Sequence, residues 1–134
     1  MRFYVGSSFS NIEEVRFIRD HLLAFGHTHT YDWTQNARAA SIDALRAIGE
    51  EEVAGIQTAD FVVILLPGGK GAHVELGIAL GTNKPVFLYD LGDQMMNMEE
   101  TSTFYHVDAV QRLEGPFYDL PHRIQGRLEL FNHV

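Results

Sequence analysis

Six apolar residues in succession, Phe61-Val62-Val63-Ile64-Leu65-Leu66, run straight into Pro67-Gly68-Gly69-Lys70-Gly71. A strand that is apolar on both faces must be covered on both faces, as the central strand of a parallel sheet is. The glycine-rich segment predicts a tight turn, and Val74 to Leu80 beyond it reads as a helix stopped by Gly81. Pro85 to Tyr89 is then the next strand. A strand-turn-helix-strand unit of this kind commits the chain to layered α/β architecture.

The flanking segments extend the pattern. Phe3-Tyr4-Val5 is a short buried-strand pattern ending at Gly6. Ser10, with Glu13 three residues on, has the form of a capping box. Val15, Ile18, Leu22 and Phe25 follow at helical spacing, and Gly26 ends the helix. Thr28 to Tyr31 reads as a second strand. A polar stretch from Asp32 to Ala40 carries Trp33, and Ser41 is placed to cap a helix bearing Ile42, Leu45, Ile48, Val53 and Ile56. The tail offers a long loop from Leu91 to Thr103 with Met95, Met96 and Met98. A short strand around Phe104 to Val107 and a last helix near Leu120 to Phe131 follow. Alternating strands and helices predict one α/β domain over residues 1–134: a three-layer sandwich around a five-stranded parallel, flavodoxin-like (Rossmann-like) sheet.

Composition narrows the function classes. At 134 residues and 46% hydrophobic the chain can bury a real core. With no cysteine, disulfides, thiolate chemistry and Cys-ligated zinc are excluded. A formal net charge of −8 argues against a nucleic acid polymer as partner, while one small anion can still be held locally. No apolar run reaches the roughly 20 residues of a membrane helix. Met1 to Val5, interrupted by Gly6, is too short for a signal peptide, so the expected location is cytoplasmic, away from membranes.

In open α/β sheets ligands bind beyond the carboxyl ends of the strands, where strand order reverses. Three segments fall at such ends: Gly6-Ser7-Ser8, Asp32-Trp33-Thr34, and Pro67 to Glu75. Gly69, Lys70 and Gly71 open a helix, where free amides and the helix dipole attract anions, although a turn that merely needs glycine has the same sequence. The segment is neither a Walker A loop nor a dinucleotide fingerprint. Glu75 lies in the first turns of that helix, where the dipole favours the ionised carboxylate that a nucleophile requires. Its plainer reading is a helix-stabilising surface glutamate. Ser7 and Ser8 can donate to a phosphate or sugar, or simply serve the loop. Trp33 can stack on a base or pack inside. His73-Val74-Glu75 has the His-x-Glu of zinc deaminases, but the paired cysteines of that chemistry are missing. His27 and His29 have no obvious third ligand and read as plain strand residues. No metal and no cofactor is expected.

Taken in order, Phe3-Tyr4-Val5-Gly6-Ser7-Ser8, Ala59-Asp60-Phe61-Val62-Val63 and the run from Gly71 through Glu75-Leu76-Gly77 to Lys84-Pro85-Val86 resemble the nucleoside 2-deoxyribosyltransferase superfamily. The resemblance includes its deoxynucleoside-monophosphate N-glycosidase branch and extends to about Tyr89. It implies that Glu75 is the catalytic glutamate, that Tyr4 orients it, and that Asp60 sits near the base and helps protonate it as it leaves. The implied reaction is a retaining displacement through a covalent glycosyl-Glu75 intermediate, resolved by water or a second base. The implied partner is a small-molecule nucleoside or nucleotide. The implied assembly is a homodimer or higher homo-oligomer, with Ser102, in Thr101-Ser102-Thr103, as the segment reaching a neighbour's site. One departure bears on substrate. Where nucleoside transferases carry an aspartate six residues before the glutamate, this chain has Gly69 followed by Lys70. Losing a carboxylate and gaining a cation near the sugar's 5′ end would admit a phosphate, so a nucleotide is expected at least as much as a free nucleoside. The alternative is a module of the same fold that binds or senses a nucleotide without cleaving it.

Overall fold

A computed structural model describes residues 1–132. Five parallel strands form one sheet in the order β2-β1-β3-β4-β5. They are β1 (Arg2–Gly6), β2 (Thr28–His29), β3 (Phe61–Leu66), β4 (Val86–Asp90) and β5 (Val110–Arg112). The main helices are α1 (Ile12–Ala24), α2 (Ile42–Thr58), α3 (Lys70–Gly81) and α4 (Leu120–Asn132). Helix α1 packs beside α4, and α2 beside α3. These pairs are the outer layers of the expected flavodoxin-like sandwich. All six residues of β3 are buried, as its unbroken apolar run requires.

Strand order reverses between β1 and β3, because the chain builds β2 on one side of β1 and then crosses to the other. Tyr4 pairs in register with Val62, and Gly6 with Ile64. Side chains alternate along a strand, so Tyr4 and Gly6 share the face covered by α2 and α3, while Phe3 and Val5 face the other way. Phe3 stacks on His29 at 4.6 Å between ring centres.

Four local expectations are corrected. The fifth strand is Val110–Arg112, not Phe104 to Val107. Phe104 is exposed and Thr103–Tyr105 forms a 3-10 turn, whereas Val110 and Leu113 supply the buried side chains that hold the edge strand down. The second strand stops at His29, with the Thr30 amide and hydroxyl both donating onward to Phe3 O. The capping box does not form: Ser10 lies within the 3-10 turn Phe9–Asn11 and its hydroxyl meets that of Ser8 at 2.6 Å. Helix α3 begins at Lys70 and includes Gly81. Its stop is Asn83, at φ 59°, with the Lys84 amide donating to Ala79 O and the Asn83 amide to Leu80 O. That is the same left-handed closure that Gly26 makes after α1.

Candidate active site

The site is built where β1 and β3 end. Ser7 Oγ donates to Leu65 O at 2.9 Å, and Asn11 Nδ2 donates to both Ser7 Oγ and Pro67 O at 2.9 Å. These bonds tie the two strand ends together. They also commit the Ser7 hydroxyl proton, so Ser7 holds the frame here, the loop-serving one of the two readings its sequence allowed. Ser8 lies beside Gly69, where an added Cβ would stand 4.0 Å from the Ser8 Cβ. The first and third sequence segments therefore meet. Gly69 stands at the N-cap of α3, and Lys70 and Gly71 form its exposed first turn. The first turn of a helix leaves its amides without intrahelical partners, which suits an anion.

Glu75 projects from the second turn of α3 and is only 6% exposed. Gly6 makes room for it: a Cβ there would stand 3.1 Å from Glu75 Oε2 and 2.8 Å from Ile64 Cδ1. Oε2 is buried with no hydrogen-bond partner. Burial pushes the Glu75 carboxyl up to about 8; the Tyr4 hydroxyl lowers it and the nearby Glu52 charge raises it. This reverses the expectation from the helix dipole. That effect fades beyond the first turn, and desolvation of the charged form outweighs it.

Tyr4 is fully buried. Its phenol is raised well above its ordinary range, by burial first and then by Glu75 and Glu52. The Tyr4 hydroxyl donates to Glu52 Oε2 at 3.4 Å. Glu52 is an acid beside Tyr4 that the sequence reading passed over. Burial raises its carboxyl too, opposed by the Tyr4 hydrogen bond. Its signal was present one turn further along α2. At Gly55 a Cβ would approach Tyr31 Cβ to 2.9 Å and Tyr4 Cδ2 to 3.2 Å. A glycine inside a helix marks a close approach, and here it lets α2 lie on Tyr4 so that Glu52 reaches the hydroxyl.

Glu52 also lines a cavity of about 460 Å³ with Phe9, Trp33, Ala39, Leu45 and Ile48. Trp33 is buried, donating Nε1–H to Val5 O at 2.7 Å, with its ring edge-on to Phe9. It therefore packs and lines the cavity at once. Its loop is pinned by Asp32, which accepts from Thr34 N at 3.0 Å and from Arg19 at 2.9 Å. Burial works against the Asp32 charge, but Thr34 and Arg19 outweigh it and hold the carboxyl below its ordinary value.

Two sequence-derived residues lie elsewhere. Asp60 precedes β3 at the amino edge of the sheet, the opposite edge from Glu75. It accepts from the Arg2 amide at 2.7 Å and pairs with the Arg2 guanidinium at 3.6 Å. The Arg2 amide is the main reason its carboxyl sits below the ordinary value. Asp60 therefore stands at the start of β3, away from the strand end where Glu75 lies, and the structure does not bring the two together. The second acid on the Tyr4 side of the sheet is Glu52, which also lines the cavity. Ser102 caps the turn at Phe104 and lines a separate cavity with His73, Leu76, Gly77, Leu80 and Phe104, so it does not join Glu75 of its own chain. The histidines have unrelated surroundings. His27 meets the N-terminus and Gln125, while His29 is pushed down to about 4 by burial. Among the described residues no group of three or more potential ligands is placed to hold a metal ion, and no helix is long and apolar enough to cross a membrane.

A parallel α/β sheet with a buried carboxylate and a tyrosine at its switch point defines a class, the α/β enzymes that work on a ligand above the strand ends. The particular family follows from comparison. The family model described as nucleoside 2-deoxyribosyltransferase matches residues 4–111, and this chain belongs to that family. No curated protein sequence matches it. Among solved structures, the Clostridium botulinum CMP N-glycosidase BcmB is similar at a TM-score of 0.66 and 12% identity, over 93% of this chain and 99% of the other. The 2-deoxyribosyltransferase of Bacillus psychrosaccharolyticus is similar at a TM-score of 0.67 and 19% identity, over 90% of each chain. At these identities the likeness is one of fold.

Proposed function

We propose that the protein cleaves or transfers the N-glycosidic bond of a (deoxy)nucleoside or nucleoside monophosphate, with Glu75 as nucleophile. The observation that carries this is the Glu75 carboxylate itself, buried at the strand-order switch with Oε2 unpartnered. Buried polar atoms are almost always satisfied, and the exceptions concentrate where chemistry is done. Family membership supports glycosyl chemistry at this site.

In this reading Glu75 attacks the anomeric carbon. The bond to the base nitrogen breaks, its electron pair stays with the base, and protonated Glu52 delivers the proton. Glu52 suits this because burial favours its neutral form while it still borders the cavity. Tyr4, between the two acids, orients Glu75 and stabilises its charge. Water or a second base then attacks the anomeric carbon and releases Glu75. With water, ionised Glu52 recovers the proton, completing the retaining cycle. The 5′ end of the sugar lies toward Ser8, Gly69, Lys70 and Gly71. A 5′-phosphate there would meet helix amides and a lysine in place of an aspartate, so a nucleotide fits at least as well as a nucleoside. A homodimer, with Ser102 reaching a neighbour's site, belongs to the same reading.

The test is base release from deoxynucleosides and their monophosphates, with and without an acceptor base, beside Glu75→Gln. Release that vanishes in the variant supports the nucleophile, and intact-mass detection of a glycosylated protein identifies the intermediate. A non-catalytic nucleotide-binding module is favoured by one observation: a carboxyl at about 8 is largely neutral at pH 7. Tight binding without base release at any pH up to 9 would select that reading.

A further inference from the structure

Asn11 forgoes the bond that its place in the chain offers. It stands at the N-cap of α1, where an asparagine side chain normally accepts from an amide of the first turn. Here it makes no such bond. The residue is buried, and its amide is turned to the strand ends, donating to Ser7 Oγ and to Pro67 O, each at 2.9 Å. A carbonyl can only accept, so the atom facing Pro67 O is the nitrogen, and both of its protons are committed there.

These bonds stand where the sheet no longer holds its own ends. The pairing of β1 with β3 stops at Gly6 opposite Ile64. One residue on, the Ser7 hydroxyl takes over by donating to Leu65 O. Asn11 then carries the link to Pro67, which leads through Gly68 and Gly69 into α3. Glu75 is on that helix, and its carboxylate lies against Gly6, the residue before Ser7. The fit is close, since a Cβ on Gly6 would stand 3.1 Å from Oε2. One side chain thus joins the segment that carries the carboxylate to the segment the carboxylate rests on. We propose that Asn11 is a positioning residue for Glu75: its amide locks the loop after β1 to the turn after β3 and so holds the carboxylate in its desolvated place beside Gly6. The effect on rate rests on the glycosidic reading, whereas the effect on Glu75 can be measured without turnover.

Serine and aspartate cap a helix as well as asparagine does, so a residue kept for α1 alone would tolerate either. The clasp would not. Asn11→Ser keeps a neutral capping side chain, but it is one bond shorter and has one proton to give. Asn11→Asp keeps the shape and, ionised, has none, setting an acceptor against Pro67 O. The measurements are kcat for base release from a deoxynucleoside monophosphate, Tm, and a carbon-13 titration of the Glu75 carboxyl, assigned by the resonance that Glu75→Gln removes. In Asn11→Ser, kcat should fall about tenfold or more, with Tm close to that of the wild type. Its Glu75 midpoint should drop from about 8 toward the ordinary carboxylate range as water reaches the side chain. Asn11→Asp should lose more kcat than Asn11→Ser.

Wild-type kcat in both variants, or a Glu75 midpoint that does not move in Asn11→Ser, would overturn the proposal and leave the glycosidic reading standing. No base release from the wild type would instead remove the glycosidic reading. A midpoint that still drops in Asn11→Ser would then keep Asn11 as the residue that holds Glu75 in place.

Discussion

The two edges of the sheet hold acids of opposite character. At the amino edge Asp60 receives a backbone amide and a guanidinium, and its carboxyl is lowered. At the carboxyl edge Glu75 is buried with an unpartnered oxygen, and its carboxyl is raised to about 8. Both flank β3, and both match the family pattern in sequence. The difference is satisfaction. The amino edge uses its polar groups to close the fold, while at the carboxyl edge one buried carboxylate oxygen is left without a partner. A raised, unpartnered acid at a switch point signals chemistry; a lowered, paired acid at the far edge signals structure.

The sharpest break of this contrast is Glu75→Gln. Base release should fall by roughly a thousandfold or more, as removal of a nucleophile does. Stability should move the other way. Because the folded carboxyl binds its proton more tightly than the unfolded one, its stabilising contribution is present at low pH. It is lost as pH rises from the ordinary carboxylate range through about 8. The variant, which cannot ionise, should therefore exceed the wild type in Tm by a widening margin toward pH 9, worth a few kcal/mol. A difference in Tm that does not change between pH 5 and 9 would mean that Glu75 is not held in a desolvated site.

Glu52→Gln comes next, with an expected loss of about a hundredfold in kcat for substrates whose base needs a proton. Two coupled acids titrate as a pair, and the working form has one proton, on Glu52. Activity should rise with pH as the pair loses its first proton and fall again as the second leaves, a bell whose alkaline limb lies near or above 8. Glu52→Gln should erase the alkaline limb. A limb that survives unchanged in the variant would assign the proton elsewhere.

The fold was legible because its signals are local and strong: an unbroken apolar strand, helical spacing, glycine at the turns. The fifth strand was misplaced because Phe104 and Val107 have strand-like chemistry, yet burial of Val110 and Leu113, a tertiary fact, decides which segment pairs. In the site, Tyr4 could be picked out from the short segment that ends β1, and Glu75 and the Gly69 turn from the run that follows β3. Glu52 could not, since its place depends on how closely α2 lies on Tyr4, and only Gly55 hinted at that contact. Asp60 was misread because adjacency to β3 in sequence does not tell which edge of the sheet a residue occupies.

A smaller effect comes from Gly6→Ala. The added methyl would press Ile64 Cδ1, a movable end, and Glu75 Oε2, which must keep its place. Stability should fall by about 1 kcal/mol, while kcat should drop tenfold or more from displacement of the nucleophile. Equal small losses in both would show that the carboxylate has room to spare.

Asp60→Asn should do least, and it tests the other side of the contrast. The side chain is 38% exposed, so its ion pair with Arg2 is screened and worth at most about 1 kcal/mol. The lowered carboxyl stabilises the fold above its unfolded pKa, and that contribution disappears as pH falls through the folded value. The variant should therefore melt slightly below the wild type at pH 7 and together with it in acid, with kcat/KM for base release unchanged. A large loss of activity without loss of stability would carry the amino edge into the chemistry and undo the division between the two ends of β3.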